Sequence, residues 1–147
     1  MRDKTKFIIN QFGYTLTELM MVTVLLGVTA SFAIPSFTKG IDRSYRRNAE
    51  NQLRVIHSAN YIYRAQSGGF WPTTGTAQNA AAINAALRTN IIEYQMVFEC
   101  TGVAAATSFS CIAYYPQKAG AQWTVSINQN VLGAANPTCA AGTQACP

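Results

Sequence analysis

The sequence has few of the side chains that enzymes and metal sites use. Its 147 residues include six carboxylates and a single histidine, His57. The four cysteines form no C-x-x-C pair, and His57 lies far from them in sequence, so no zinc-ligand spacing is present. No Ser/Cys-His-acid set or phosphate-binding loop accompanies the acids. We therefore expect no catalytic residue, no cofactor and no metal, and we expect His57 to lie at the surface or at a boundary.

Positive charge is also limited. The formal net charge is +5, and three basic residues against one acid in the first thirteen positions account for two of these charges. Proteins that bind nucleic acids usually concentrate basic side chains on a strongly basic domain. Nucleic acid is therefore not favoured as a partner.

A long apolar run is the most prominent feature that is present. It extends from Leu16 to Pro35 and is interrupted only by Glu18 and by scattered Thr and Ser residues. About twenty residues of helix span about 30 Å, the thickness of the hydrocarbon core of a bilayer. An ionised carboxylate is costly in hydrocarbon, and the run contains no Lys or Arg. The sequence predicts a membrane-spanning helix in which Glu18 needs a partner.

Apolar residues then recur at steps of three and four, which predicts an amphipathic helix. The predicted inner face consists of Ile41, Tyr45, Ala49, Leu53, Ile56, Ala59 and Tyr63. The outer face carries Arg43, Arg46, Arg47, Glu50 and Arg54. We expect this outer face to be solvated with weak ion pairs; contact with lipid head groups or with a neighbouring copy is the alternative. Because Gly68 and Gly69 end the pattern, one helix is predicted from about Tyr14 to Gln66. It would be about 80 Å long, too long for a domain of this size, so its first half must be buried in something else.

The remaining sequence predicts a short helix within residues 76–90 and three strands at 93–100, 108–115 and 122–128. Such strands would form a small antiparallel sheet, with one face covered by the amphipathic half of the long helix. The tail 129–147 shows no strand pattern. The predicted fold class is α+β.

The four cysteines all lie in the last third of the chain. An even number of cysteines behind an export-like segment favours disulfides in an oxidising compartment. Of the three possible connectivities, we favour Cys100–Cys111 with Cys139–Cys146, because each bond closes a short local loop. Free buried thiols are the alternative.

The run from Gly13 to Met20, Gly-Tyr-Thr-Leu-Thr-Glu-Leu-Met, resembles the N-terminus of type IV pilins and of the related pseudopilins of type II secretion. Gly27 and the Ala-Ile-Pro sequence ending at Pro35 are part of the same resemblance, which is strong over 14–37 and looser beyond. Tyr14 stands where phenylalanine is usual, and Thr17 where an aliphatic residue is usual.

The resemblance implies the type IV pilin fold, a long N-terminal helix packed on a small antiparallel sheet. It also implies three parts: a leader at 1–13 that is removed, a transmembrane and filament-core helix at 14–37, and a globular head at 38–147 that includes the amphipathic half of the helix.

In this family a prepilin peptidase cuts after the glycine, so the cut would fall between Gly13 and Tyr14, and Tyr14 would be N-methylated. The new ammonium group would supply the partner for Glu18, on an adjacent subunit during assembly. Gly27 and Pro35 weaken the helix between them. The corresponding segment loses helical structure in assembled pili, whereas we expect an intact helix in the free subunit.

The implied function is that of a structural subunit of a type IV pilus, not of an enzyme. The implied partners are further copies in a helical filament, the prepilin peptidase, the inner-membrane pilus assembly machinery and membrane lipid before assembly. The precursor would lie in the bacterial inner membrane with its head in the periplasm, and the assembled filament would be extracellular.

Several alternatives stay open. Major pseudopilins resemble one another in binding calcium through acidic residues near the C-terminus, but no Asp or Glu follows Glu99. The Cys139–Cys146 pair resembles the C-terminal disulfide loop of many pilins, which favours a pilin.

A minor pilin for DNA uptake would have only Arg88 and Lys118 as basic residues on the sheet side. A secretory signal peptide cleaved after Ala33 and a plain single-span membrane protein are the remaining alternatives.

Overall fold

The structure, a computed structural model, describes residues 13–115, 122–133, 136–142 and 144–147, with the backbone alone at 33–36. The chain forms two compact units, one ending at Thr38 and one spanning Lys39–Pro147. The elements in chain order are α1 Leu16–Ser67, β1 Gln78–Asn79, α2 Ala80–Leu87, β2 Val97–Gly102, β3 Phe109–Tyr115, β4 Trp123–Asn128 and β5 Thr138–Ala141.

Helix α1 confirms the single long helix predicted from the sequence, with bounds that differ by one or two residues. Its end depends on Gly68, which has a φ of +84°, in the left-handed region that favours glycine. The backbone N–H of Gly68 donates to the carbonyl of Arg64 at 2.9 Å. A left-handed residue that closes the last turn in this way stops a helix.

The five strands form one antiparallel sheet in the order β1-β2-β3-β4-β5. Cys100 on β2 lies opposite Cys111 on β3, which lies opposite Ile127 on β4. The sheet confirms the α+β class and the three predicted antiparallel strands.

Three details of the predicted sheet are wrong. Strand β1, which pairs with β2, lies in the segment 76–90 where only a short helix was predicted. The first predicted strand, at 93–100, begins only at Val97. Before it, the Glu93 side chain accepts a hydrogen bond from the backbone N–H of Phe98 at 3.0 Å. The tail also contains a strand, β5, which pairs with β4. Three of its four residues are exposed and the fourth is half-buried, so they carry no alternating hydrophobic pattern.

The core of the second unit lies between the helix and one face of the sheet. Ala49, Leu53 and Ile56 are buried on the helix side, and Tyr45, Ala59 and Tyr63 pack at its margin. The sheet contributes alternate residues, because successive side chains of a strand point to opposite faces. These are Phe98, Cys100, Cys111, Ala113, Trp123, Val125 and Ile127. The predicted inner face of the amphipathic helix therefore covers the sheet.

Helix α2 lies where a short helix was predicted. Its first turn is capped by Asn79, whose side chain accepts a hydrogen bond from the backbone N–H of Ala82 at 3.0 Å. Ile83 and Leu87, one turn apart, are buried in the core.

The segment after α1 is held by a buried amide. Asn60 is fully buried, accepts from the backbone N–H of Trp71 at 2.8 Å and donates to the Trp71 carbonyl. The next residue, Pro72, lies against Gly102 at the end of β2, where an added Cβ would come within 1.7 Å of the Pro72 carbonyl oxygen. Glycine is required at position 102 because the two backbones meet there.

Candidate assembly site

The start of α1 is closed by a reciprocal pair of side chains. Thr15 Oγ1 accepts a hydrogen bond from the backbone N–H of Glu18 at 3.3 Å. In return, the Glu18 carboxylate oxygen Oε2 accepts from the backbone N–H and from the hydroxyl of Thr15, each at 2.9 Å. This is a capping box, which satisfies donors that have no partner inside the helix.

The capping box adds a role for Glu18 that the sequence interpretation missed. Its signal is visible in the sequence, since Thr-x-x-Glu before an apolar run is the pattern of such a box. Only Oε2 is used; Oε1 makes no hydrogen bond with any residue that the structure describes. The acid can therefore cap its own helix and still present an oxygen to another group.

Gly13 and Tyr14, the two residues of the predicted cut, precede the helix. Both are exposed, and the Tyr14 side chain is 86% accessible. The peptide bond between them lies outside any helical hydrogen bonding. The predicted leader, 1–13, falls outside the described residues except for Gly13.

The apolar part of α1 in the first unit has large side chains that are more than half exposed. These are Leu16, Leu19, Met20, Met21, Val22, Val24, Leu25, Leu26, Val28 and Phe32. An 18-residue window of α1 has a mean hydropathy of 1.9 and no buried residue. In the described part of the chain, α1 is the single helix long and apolar enough to cross a membrane. An apolar surface of this extent needs a membrane or a partner to cover it.

The hydroxyl groups within this apolar segment bond to the helix itself. Thr23 donates to the Met20 carbonyl at 2.9 Å, and Ser31 donates to the Val28 carbonyl at 2.7 Å. Thr29 reaches two carbonyls of the preceding turn, each at 3.0 Å. Because these polar groups are satisfied locally, they do not oppose burial in lipid or between helices.

Comparisons with known proteins agree with this geometry. No family model and no solved structure matches the chain. The chain is 40% identical to the type IV major pilin protein PilA of Myxococcus xanthus over 47 residues, which is 32% of this chain and 21% of that protein. It is 31% identical to the type II secretion system core protein G of Vibrio cholerae over 65 residues, which is 44% of each. It is 33% identical to the fimbrial protein EcpC of Eikenella corrodens over 72 residues, 49% of this chain and 46% of that protein.

The chain is similar to members of the type IV pilin family, pseudopilins included. It spans less than half the length of each of these relatives. The long helix packed against an antiparallel sheet is the fold of that family.

Helix α1 is continuous through positions 27 and 35. A Cβ added at Gly27 would meet nothing within 4 Å, so no contact among the described residues requires glycine there. The assembly roles assigned to Gly27 and Pro35 stay predictions.

Both favoured disulfides are present in the second unit. Cys100 and Cys111 join directly opposed positions of β2 and β3, and both are buried in the core. Cys139 on β5 is bonded to Cys146 and lies at the edge of the core. The free-thiol alternative is excluded, since none of the four cysteines is unpaired.

The expectation that His57 lies at the surface or at a boundary is wrong. His57 is only 6% exposed, and its Nε2 shares a hydrogen bond with the Asn130 carbonyl at 2.9 Å. Its ring packs beside those of Tyr61 and Phe109. Long-range contact with the loop after β4 buries this residue, and the sequence near position 57 carries no sign of it. Within the described ranges, no group of three or more His, Cys, Asp or Glu side chains could hold a metal ion.

Proposed function

We propose that the chain is a structural, non-enzymatic subunit of a type IV pilus. A prepilin peptidase removes the leader between Gly13 and Tyr14 and methylates Tyr14. Residues 14–37 anchor the precursor in lipid of the bacterial inner membrane, with the head, 38–147, in the periplasm. The inner-membrane assembly machinery then packs the helices of many copies into the core of an extracellular filament.

The observation that carries this proposal is the exposed apolar surface of α1 in the first unit. The second unit already has its own core, and no described residue covers the large apolar side chains between Leu16 and Phe32. Lipid before assembly and neighbouring helices after assembly are two environments that bury the same surface. Hydrophobic burial is non-directional, so one surface serves both.

The geometry at Glu18 supports the assembly role that we propose for it. Cleavage after Gly13 creates an ammonium group at Tyr14, and the free Oε1 of Glu18 is a suitable acceptor for such a group on an adjacent subunit. A charge-assisted hydrogen bond of this kind is stronger than one between neutral groups, and more so away from water.

The test must separate the charge of Glu18 from its capping role. Glu18→Ala removes the charge and the capping side chain together. Glu18→Gln removes the charge but keeps an acceptor suited to a capping box. Thr15→Val removes the capping hydroxyl but keeps the charge of Glu18. We expect the first two variants to be processed normally and to give much less sheared filament, detected by immunoblot and electron microscopy. Thr15→Val should retain most of the filament.

Filament at the wild-type level from Glu18→Ala would refute the role of the acid. Loss of filament in Thr15→Val together with full assembly by Glu18→Gln would show that capping, not charge, is what assembly requires. Mass spectrometry of the mature N-terminus in each variant separates these results from failed processing, because it detects both the cut and the methyl group.

A second candidate function is that of a pseudopilin in type II secretion. The similarity to core protein G of Vibrio cholerae extends over more residues than the similarity to PilA of Myxococcus xanthus. Deleting the protein distinguishes the two: loss or alteration of surface filaments supports a pilin, and loss of protein secretion with intact filaments supports a pseudopilin.

A further inference from the structure

Basic side chains are concentrated in the part of α1 that follows the apolar run. Residues 39–54 contain five Lys and Arg residues against Asp42 and Glu50, whereas residues 55–147 contain three against two acids. The five are Lys39, Arg43, Arg46, Arg47 and Arg54. Most of the net positive charge of the second unit thus lies in its first sixteen residues, 39–54.

Three of these arginines line one cavity of about 300 Å³, together with Glu50 and Pro147. Arg46 is held in place, because its Nε lies 2.8 Å from Glu50 Oε1 and its Nη1 donates to the Pro147 carbonyl at 2.7 Å. Arg43 and Arg47 are exposed, and neither has a hydrogen bond or ion pair with a residue that the structure describes. Two guanidinium groups are therefore available beside a third that is fixed.

A second copy of the chain is poorly equipped to neutralise this patch. In the head, Glu50 is paired with Arg46, and Asp42 belongs to the patch itself. The two remaining acids are also engaged, since Glu93 accepts from the backbone N–H of Phe98 and Glu99 accepts from the Tyr114 hydroxyl. An anion from a different kind of molecule suits the patch better.

The position of the patch in the sequence indicates which anion this is. Lys39, Arg43 and Arg47 follow the end of the apolar run at Pro35 by four, eight and twelve residues. Helical side chains tilt toward the helix N-terminus, and Lys and Arg extend their charged ends toward the water-facing edge of a bilayer. Basic residues beside a membrane span are attracted to anionic lipids, and the planar guanidinium matches the geometry of a phosphate.

We infer that Arg43 and Arg47, together with Lys39, bind the phosphate groups of anionic phospholipids while the precursor is in the membrane. The inference rests on the proposed anchoring by residues 14–37. Lipid binding would hold the head at the bilayer surface before assembly and would be given up when the subunit enters the filament.

The test uses the full chain purified in neutral detergent, with phosphatidylglycerol and phosphatidylcholine added in equal amounts. Native mass spectrometry counts the molecules of each lipid that stay bound. The patch variant is Arg43→Gln with Arg47→Gln. The matched control, Arg64→Gln with Arg88→Gln, removes the same charge from two exposed arginines elsewhere on the head.

We expect the wild type and the control to retain phosphatidylglycerol in clear excess. The patch variant should lose this preference by about 25-fold, since each of the two removed cations contributes roughly a fivefold attraction to an anionic surface. Its retention of phosphatidylcholine should not change, because the span is intact.

Equal retention of the two lipids by the wild type would overturn the inference. An equal loss of the preference for phosphatidylglycerol in the patch variant and in the control variant would also overturn it. A patch variant that keeps its lipid preference but fails to form filaments would assign the arginines to a neighbouring subunit instead. A wild-type chain that stays soluble without detergent and retains neither lipid would refute the anchoring itself, which is a different result.

Discussion

Leu25 and Leu53 lie on the same helix but in different surroundings. Leu25, in the first unit, is 63% exposed, whereas Leu53, in the second, is fully buried against the sheet. Burial of apolar area stabilises whatever state removes that area from water. Leu53 therefore stabilises the folded second unit, whereas the apolar area of Leu25 stays accessible and, in the proposed function, is covered by a membrane or by another subunit.

The largest expected difference between the two units is in the free energy of unfolding after a leucine is replaced by alanine in each of them. Leu53→Ala should lower the free energy of unfolding of the head by about 2 to 5 kcal/mol, because it leaves a cavity in a packed core. Leu25→Ala should change it by less than about 0.5 kcal/mol, as expected for an exposed side chain outside the core. Denaturant unfolding of the full chain in detergent, followed by near-ultraviolet circular dichroism, measures both. Equal effects of the two variants would remove the distinction between the units.

A smaller effect is expected when the head loses a covalent link. Replacing Cys100 and Cys111 together by Ala should cost about 3 kcal/mol, mainly because the unfolded chain is no longer restrained by a loop. The double variant of Cys139 and Cys146 should cost less, since its loop is shorter and its side chains are less buried. The same unfolding measurement ranks the two. A larger loss for the Cys139–Cys146 variant would show that the tail, rather than the centre of the sheet, limits the stability of the head.

The smallest effect appears only at alkaline pH. Burial, together with the hydrogen bond to Glu99, raises the pKa of Tyr114 to about 12. Because the folded state favours the neutral phenol, this contribution is complete below the ordinary tyrosine pKa of about 10 and is lost as the pH rises toward 12. The free energy of unfolding should fall by roughly 1 kcal/mol by about pH 11. Tyr114→Phe should remove this part of the pH dependence, and an unchanged profile in that variant would contradict the assignment.

Local patterns were sufficient for the parts of the fold that depend on nearby residues. The three- and four-residue spacing correctly predicted that Ala49, Leu53 and Ile56 face the core. The glycine pair at 68 and 69 correctly predicted the end of α1. Periodicity and turn chemistry act over a few residues, so they can be read without knowledge of the rest of the chain.

The candidate site was only partly predictable. The apolar run and its acid are evident in the sequence, and so is the Thr-x-x-Glu pattern of the capping box that the structure contains. The free guanidinium groups of Arg43 and Arg47 could not be anticipated. They are available because Glu50 and the distant Pro147 form their contacts with Arg46 and not with Arg43 or Arg47.

The sequence by itself determined the long helix, its apolar first part, its amphipathic second part and the resemblance to type IV pilins, because each depends on residue order over short distances. Only the tertiary structure decided that His57 is buried beside the Asn130 carbonyl and that residues 138–141 form a strand. It also decided that position 102 must be glycine, because the Pro72 backbone lies against it. These features bring together residues that lie twelve to seventy-three positions apart. Their contacts follow from how the sheet, the helix and the loops fill one core, which no local pattern encodes.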